Sequence, residues 1–342
     1  MFLSLVFRFH VGRYYASGIW VCFSSCPRGQ STIFCCAENG TLTPSKSGND
    51  CLIPFRDAIR TQKFVLTADL ALGRATAAAE VKEQARVLGP VVDAIQVPDS
   101  HDGRLQMSAQ AAAVLLLGQG VDPIVHVTGR DRNRIALEND LLGLAVLGVT
   151  TVLLTRGEEL PGSYRPATKH VFELSGEDLV TTARQLGEDE SVPGASGFLI
   201  GTAATAFNPR QEWQPRSLTL RVDAGAAFIQ TQMCFNLKTL RRYLARLVDV
   251  RLPWRCAIMG GLAVLPTAAY ARLLKEHLSG AVLPEKLIRR LEQARDPERE
   301  GILICVEKLQ EMQEIPGISG VNLMTPGDPA TMVEVIRLAG LR

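Results

Sequence analysis

From residue 64 onward, short apolar runs rich in β-branched residues alternate with longer stretches whose apolar positions recur at helical spacing. The runs 64–70 (FVLTADL), 92–97 (VDAIQV), 122–128 (DPIVHVT), 150–155 (TVLLTR), 197–201 (GFLIG), 226–232 (AAFIQTQ), 254–259 (WRCAIM) and 318–324 (SGVNLMT) read as strands. A helix pattern follows each. After the third run, Asp131 is placed to cap a helix reaching residue 147, with Ile135, Leu142 and Val146 on one face and Gly148 supplying the stop. After the sixth, Asn236 precedes Leu237, Leu240, Leu244 and Leu247 at helical spacing. Near-continuous apolar strands separated by helices imply a parallel sheet covered on both faces. Eight such units match an α/β fold of the closed (β/α)8 TIM-barrel type, which takes about 250 residues, better than an open sheet. The open alternative, a doubly wound sheet, lacks its G-x-G-x-x-G turn after the first strand.

The pattern changes near residue 55. Residues 1–37 contain no acidic residue, carry Arg8, Arg13 and Arg28, and mix aromatic residues with Ser and Cys without periodicity. Residues 1–54 are therefore expected to be an irregular, disordered extension, and 55–342 the barrel. A transit peptide is another reading of such a segment, although amphipathic Arg spacing is missing. The Cys22-x3-Cys26 and Cys35-Cys36 pairs invite a metal-site reading, but no histidine follows at finger-like spacing.

Composition removes several function classes. Apolar residues at 46% and charged residues at 21% are ordinary for a globular chain, and a formal net charge of +2 is too small to drive binding to a polyanion. No nucleic-acid partner is expected. No apolar run is long enough to span a bilayer, so no membrane partner is expected either. After residue 55 only Cys234, Cys256 and Cys305 remain, scattered without ligand spacing, which points to a cytoplasmic protein with no metal site.

In a (β/α)8 barrel the chemistry sits at the C-terminal strand ends. The polar residues expected there are Asp69; Asp99, His101 and Asp102; His126, Thr128 and Arg130; Thr155, Arg156, Gly157, Glu158 and Glu159; Gly201, Thr202 and Thr205; Gln230, Thr231 and Gln232; and Asn322, Thr325, Gly327 and Asp328. This set holds amides, hydroxyls, carboxylates and arginines, but no G-x-S-x-G, H-E-x-x-H or P-loop, and no Cys with a partnering His. Such a site suits chemistry carried by a bound organic cofactor, with the protein supplying orientation and a proton.

Three stretches carry a family likeness: HVTGRDRNRIALENDLLGLAVLGVTTVLLTRGEELPG (126–162), RVDAGAAFIQTQMCFN (221–236) and GISGVNLMTPGDPATMVEVIRLAGL (317–341). Together, and in order over about residues 55–342, they resemble the methylenetetrahydrofolate reductases, above all the short bacterial type without a regulatory domain. The resemblance implies a flavoprotein of one-carbon metabolism, on the route to methionine biosynthesis. FAD takes a hydride from NAD(P)H and passes it to 5,10-methylenetetrahydrofolate, giving 5-methyltetrahydrofolate. It further implies a homo-oligomer and leaves room for an electron-transferring partner protein.

The resemblance also assigns roles. Asp69 matches the acid at the end of strand one that opens the bridged folate, a position where the family normally has Glu; Asp loses one methylene of reach, and a misplacement of about 1 Å costs about 100-fold in rate. Glu158, after Arg156 and Gly157, matches the flavin-side acid, usually Asp. Gln232 and Thr231 match the positions that bind the folate head. His126, Thr128, Gly201, Thr202 and Ala203 match flavin contacts, and Arg221 matches a basic residue at the FAD diphosphate. Pro98 stands where a threonine is common, so it offers neither hydroxyl nor N–H. Each of these residues also has a plain reading as a strand-end, core or surface side chain. The departures at Asp69, Pro98 and Glu158 motivate an alternative, a folate- or flavin-binding subunit of little activity, and a flavin-free barrel lyase is a third reading.

Overall fold

Period-two alternation along each strand sorts the barrel into an outer apolar shell and an inner column. The computed structural model describes residues 13–16, 19–25, 31–36, 54–100, 103, 105–159, 168–192, 197–278 and 280–342. Two compact units divide the chain at 51/52. In the first, β1 (Arg13–Ala16), β2 (Ile19–Ser25) and β3 (Ser31–Cys36) form an antiparallel sheet. The reading of this segment as irregular gave it no elements. The strands fall where β-formers cluster (Tyr14, Tyr15, Trp20, Val21, Phe23, Ile33, Phe34) without the alternation that a half-buried strand displays. Cys26 and Cys51 lie outside the described residues, as do His101 and Asp102.

The second unit begins with α1 (Phe55–Thr61) and then places β4 (Val65–Asp69), α2 (Ala78–Leu88), β5 (Ala94–Val97), α3 (Ala109–Leu117), β6 (Pro123–Thr128), α4 (Arg134–Val146), β7 (Thr151–Thr155) and α5 (Gly176–Glu188). It continues through β8 (Leu199–Ala204), α6 (Arg216–Asp223), β9 (Phe228–Met233), α7 (Leu237–Asp249), β10 (Ala257–Ala263), α8 (Ala268–His277), α9 (Glu285–Gln293), α10 (Pro297–Gln313), β11 (Gly320–Met324) and α11 (Ala330–Leu338). Strands β4 to β11 close a parallel barrel in which β11 pairs with β4. All eight expected strands are present. Strands β8 and β10 start later than expected, the latter because Leu252–Trp254 forms a 3-10 turn instead.

Residues on the outer parity, including Leu66, Ile95, Val125, Val152, Ile200, Ile229, Ile258 and Val321, join the helices in the main core. The inner parity starts with an apolar layer of Val65, Ala94, Ile124, Leu153, Leu199, Phe228 and Met259, closed from below by Phe55 of α1. The Phe55 backbone N–H donates to Asp122 Oδ2 at 2.7 Å, anchoring the plug. Gly201 belongs to this layer, since a Cβ there would lie 2.2 Å from the Phe228 ring.

The helix after β6 differs from its expected face. Its cap is Asn133, whose side chain accepts from Ala136 N, while Asp131 pairs with Arg130. Leu137, Leu141 and Leu144 turn inward, leaving Ile135 70% and Val146 67% exposed. The helix is apolar around much of its circumference, so periodicity alone does not choose the buried side. In α7 the expectation matches: Asn236 caps it, and Leu237, Leu240, Leu244 and Leu247 are buried.

Candidate active site

One step above the apolar layer, the same inner parity becomes polar: Thr67 on β4, Gln96 on β5, His126 on β6, Gln230 on β9 and Asn322 on β11, all buried. They bond to one another. Asn322 Oδ1 accepts from Thr67 Oγ1 at 2.8 Å, Thr67 Oγ1 accepts from Gln96 Nε2 at 2.9 Å, and Gln96 Oε1 lies 2.9 Å from His126 Nε2. Gln96 Nε2 also reaches Gln230 Oε1 at 3.3 Å. A filled polar layer of this kind fixes its members, because an unpaired buried polar group costs about 1 to 3 kcal/mol.

The next inner positions border a cavity of about 390 Å³ at the C-terminal strand ends. Its wall includes Asp69, Thr128, Thr155, Ala203, Gln232 and Met324 from the strands, Arg156, Gly157 and Glu158 from the loop after β7, Arg221 from α6, and His277 and Leu278 at the end of α8. Asp69 accepts from Asn322 Nδ2 at 2.8 Å. Burial pushes its carboxyl up to about 7, more than the Asn322 hydrogen bond pulls it down. Gln232 faces the cavity with no hydrogen bond from its amide to any described residue, which leaves both its donors and its acceptor for a ligand. Its aim is set by an irregularity: between the pairs Met259↔Gln230 and Gly261↔Met233, β9 holds two residues against one of β10. Thr231 Oγ1 accepts from Gly261 N at 3.2 Å, so its hydroxyl secures this bulge.

Gly157 has φ +83°, and a Cβ there would lie 2.3 Å from Thr128 Oγ1 and 2.7 Å from Arg130 Cβ. The loop carrying Arg156 and Glu158 can therefore lie flat on the end of β6 only with glycine at this point. Arg156 stacks its guanidinium over Phe172 at 4.1 Å, and Glu158 is exposed at the rim. Arg221 Nη1 donates to Thr202 Oγ1 and Ala203 O, both at 2.7 Å, and its Nε donates to Ser217 O at 3.1 Å. No carboxylate among the described residues pairs with it, and desolvation lowers its pKa. A half-buried cation without a counter-ion is a place for an anionic group.

A model of the methylenetetrahydrofolate reductase family matches residues 70–340. The chain belongs to this family. A Caenorhabditis elegans protein described as a probable methylenetetrahydrofolate reductase (NADPH) is 22% identical over 244 residues, which is 70% of this chain and 35% of that protein. The chain thus spans about a third of the length of that methylenetetrahydrofolate reductase relative. Among solved structures, a Clostridium thermocellum protein described as binding two copies of 5-methyl-5,6,7,8-tetrahydrofolic acid superposes with a TM-score of 0.61 at 12% identity, covering 83% of this chain and 97% of that one. Long-chain alkane monooxygenase superposes at 0.51 and 12% identity, covering 82% and 90%. These likenesses show the shared barrel.

Of the positions singled out by the methylenetetrahydrofolate reductase resemblance, the cavity gathers Asp69, His126, Thr128, Arg156, Gly157, Glu158, Ala203, Arg221, Thr231 and Gln232. Gly201 and Thr202 do not line it: the first makes room for Phe228, the second holds Arg221. Asp99, expected at a strand end, binds Thr128 N and Arg132. Sequence reading missed Thr67, Gln96, His277 and Leu278. The last two stand at the C-terminal end of α8, and a few residues later Val282 bridges to Cys234, just past the end of β9. Burial pushes the Cys234 and Cys256 thiols up to about 11 and Cys305 to about 12, so each stays a protonated thiol at neutral pH. Among the described residues, no cluster of three or more His, Cys, Asp or Glu could hold a metal ion, and no helix is long and apolar enough to cross a membrane.

Proposed function

We propose that the chain reduces 5,10-methylenetetrahydrofolate to 5-methyltetrahydrofolate, with FAD as hydride carrier and NAD(P)H as donor. The observation that carries this reading is a carboxyl group in the cavity wall whose pKa burial raises to about 7, with an amide that bonds to no described residue lining the same cavity. Opening the bridged folate to an iminium needs a proton at a ring nitrogen, and a carboxylic acid that is still protonated near neutrality can supply it. Asp69 fills that role. The amide of Gln232 donates to and accepts from the pterin edge, and Glu158 offers a negative charge at the rim where the iminium develops. Folate binding by a barrel of the same fold, and the NADPH in the description of the nematode relative, support the two substrates.

The residues fit a flavin in two respects. Arg221 is a cation beside the cavity without a carboxylate partner among the described residues, suited to a diphosphate, and the flat loop over Thr128 leaves a wall of backbone and short side chains against which a planar ring can lie. Bound FAD would supply two-electron hydride acceptance and donation. The protein's part is to hold the anionic end at Arg221, keep the folate head at Gln232 and deliver one proton from Asp69.

Two outcomes follow. Because the protonated form of Asp69 is the working one, folate-dependent turnover is expected to fall on the alkaline side with an apparent pKa near 7, while reduction of the flavin by the nucleotide shows no such limb. A folate half-reaction flat from pH 6 to 9 would remove Asp69 from the role. Gln232→Leu is expected to slow folate-dependent reoxidation by about 10- to 100-fold, the equivalent of one or two lost hydrogen bonds to a buried polar edge, with reduction by the nucleotide nearly unchanged. Rapid-mixing measurement of the two half-reactions separates these effects, and equal damage to both would make Gln232 a packing residue.

A further inference from the structure

We propose that Asn322 is a positioning residue that decides which oxygen of Asp69 carries the transferable proton, an inference that rests on the reading of Asp69 as the acid. Asn322 Nδ2 donates to Asp69 Oδ1 at 2.8 Å, and no described residue donates to Oδ2. A proton on Oδ1 would meet an N–H head-on, so the acid proton sits on Oδ2.

The amide of Asn322 is not free to turn. Its Oδ1 accepts the single hydroxyl proton of Thr67 at 2.8 Å. The Thr67 oxygen accepts from Gln96 Nε2 at 2.9 Å. Gln96 Oε1 can then only accept, so His126 Nε2, 2.9 Å away, carries a proton. Along this path every donation runs from His126 toward Asp69, with one branch from Gln96 Nε2 to Gln230 Oε1, and turning Asn322 would require inverting each step in turn. Thr67 and Gln96 are 0% exposed, Asn322 2% and His126 4%, so water does not stand in for a broken link. The charged or titratable side chains sharing Asp69's cavity are His126, Arg156, Glu158, Arg221 and His277, and a substitution at 322 leaves all of them in place.

The chain also places the relay correctly in register. Asn322 pairs across the sheet with Thr67, and Asp69 pairs with Gln96, so with His126 the relay runs over the four adjacent strands β11, β4, β5 and β6. Losing the Asn322 donor removes a hydrogen bond to the charged form of Asp69, which moves its titration upward by about one unit.

The test uses Asn322→Leu, of similar size but without donor or acceptor, in the full chain. Folate turnover is expected to drop about 10- to 100-fold in kcat with little change in KM, and the alkaline limb to move up. In the ligand-free protein, the carboxyl titration of Asp69, read by infrared difference against Asp69→Asn, is expected to move the same way. In an Asp69→Asn background, Asn322→Leu is expected to change turnover less than about twofold. Thr67→Val, which frees the amide of Asn322 without touching it, repeats the shift more weakly and serves if the leucine variant does not fold. An unmoved Asp69 titration, or an equal activity loss with and without Asp69, would overturn the inference. If the wild type turns over no folate, the acid reading falls, while the infrared titration still decides whether Asn322 governs Asp69.

Discussion

Asp69→Asn is expected to slow folate reduction by about 10² to 10⁴, the usual scale of a lost general acid, leaving a small measurable residual rate while preserving flavin binding and nucleotide oxidation. The amide keeps the size and polarity of the carboxyl but has no proton to give. Stability supplies a second signature of opposite sign. The folded carboxyl titrates near 7 against an ordinary value of 3.8, so the native state binds the proton more tightly than the unfolded chain. Its contribution is fully present below the ordinary value, declines as pH rises through that window, and is lost above about 7. Asp69→Asn carries no such ionisation, and above pH 7 its melting temperature is expected to exceed that of the wild type. Activity lost together with stability gained identifies a carboxyl kept for chemistry. Wild-type folate turnover in Asp69→Asn would place the acid elsewhere. Asp69→Glu, which restores the longer reach usual in the family, is the companion variant: a gain in rate would show that the shorter side chain limits the enzyme.

Phe55→Ala is expected to cost about 3 to 5 kcal/mol of stability, the range for a fully buried Phe cut to Ala. Phe55 is 0% exposed and meets the Phe228 ring edge-on at 5.5 Å between centroids. Beneath the barrel it closes the lowest inner layer, so its loss opens a cavity lined by residues from several strands that cannot collapse together. Denaturant unfolding measures the loss. The polar layer of Thr67, Gln96, His126, Gln230 and Asn322 separates the plug from the cavity above, so the folate half-reaction below the melting range is expected to change little. A cost under about 1 kcal/mol would mean that α1 lies on the barrel without sealing it.

What the chain alone made legible follows from which physical signals are local. All eight barrel strands stood out because both faces are covered, making them dense in apolar residues, and the barrel rule then pointed to Asp69, Thr128, Glu158 and Gln232 at their ends. Thr67 and Gln96 do not stand out in the sequence because they sit one pleat below the ends, where a neutral polar residue looks like a lapse in an apolar run. The available signal was the shared parity of Val65, Thr67 and Asp69, and of Ala94 and Gln96, which puts each in the same inner column. Other assignments depend on contacts far apart in sequence. Gly201 is glycine because of Phe228, Gly157 because of Thr128, and the Thr231 hydroxyl is engaged because β9 bulges against Gly261. The buried side of α4 is not legible in its pattern, because Ile135 and Val146 are as apolar as the residues that turn inward.

In the proposed reaction this barrel moves a hydride through a flavin to a folate. The most direct measurement is the absorbance spectrum of the purified full chain loaded with FAD, followed through two additions made without oxygen. The bound flavin is expected to bleach with NADH or NADPH and to recover its colour on adding 5,10-methylenetetrahydrofolate, with 5-methyltetrahydrofolate formed in equal amount. A protein that binds folate and flavin, yet whose flavin, reduced by nucleotide or by dithionite, is never reoxidised by the folate, would contradict it and make the chain a binding subunit.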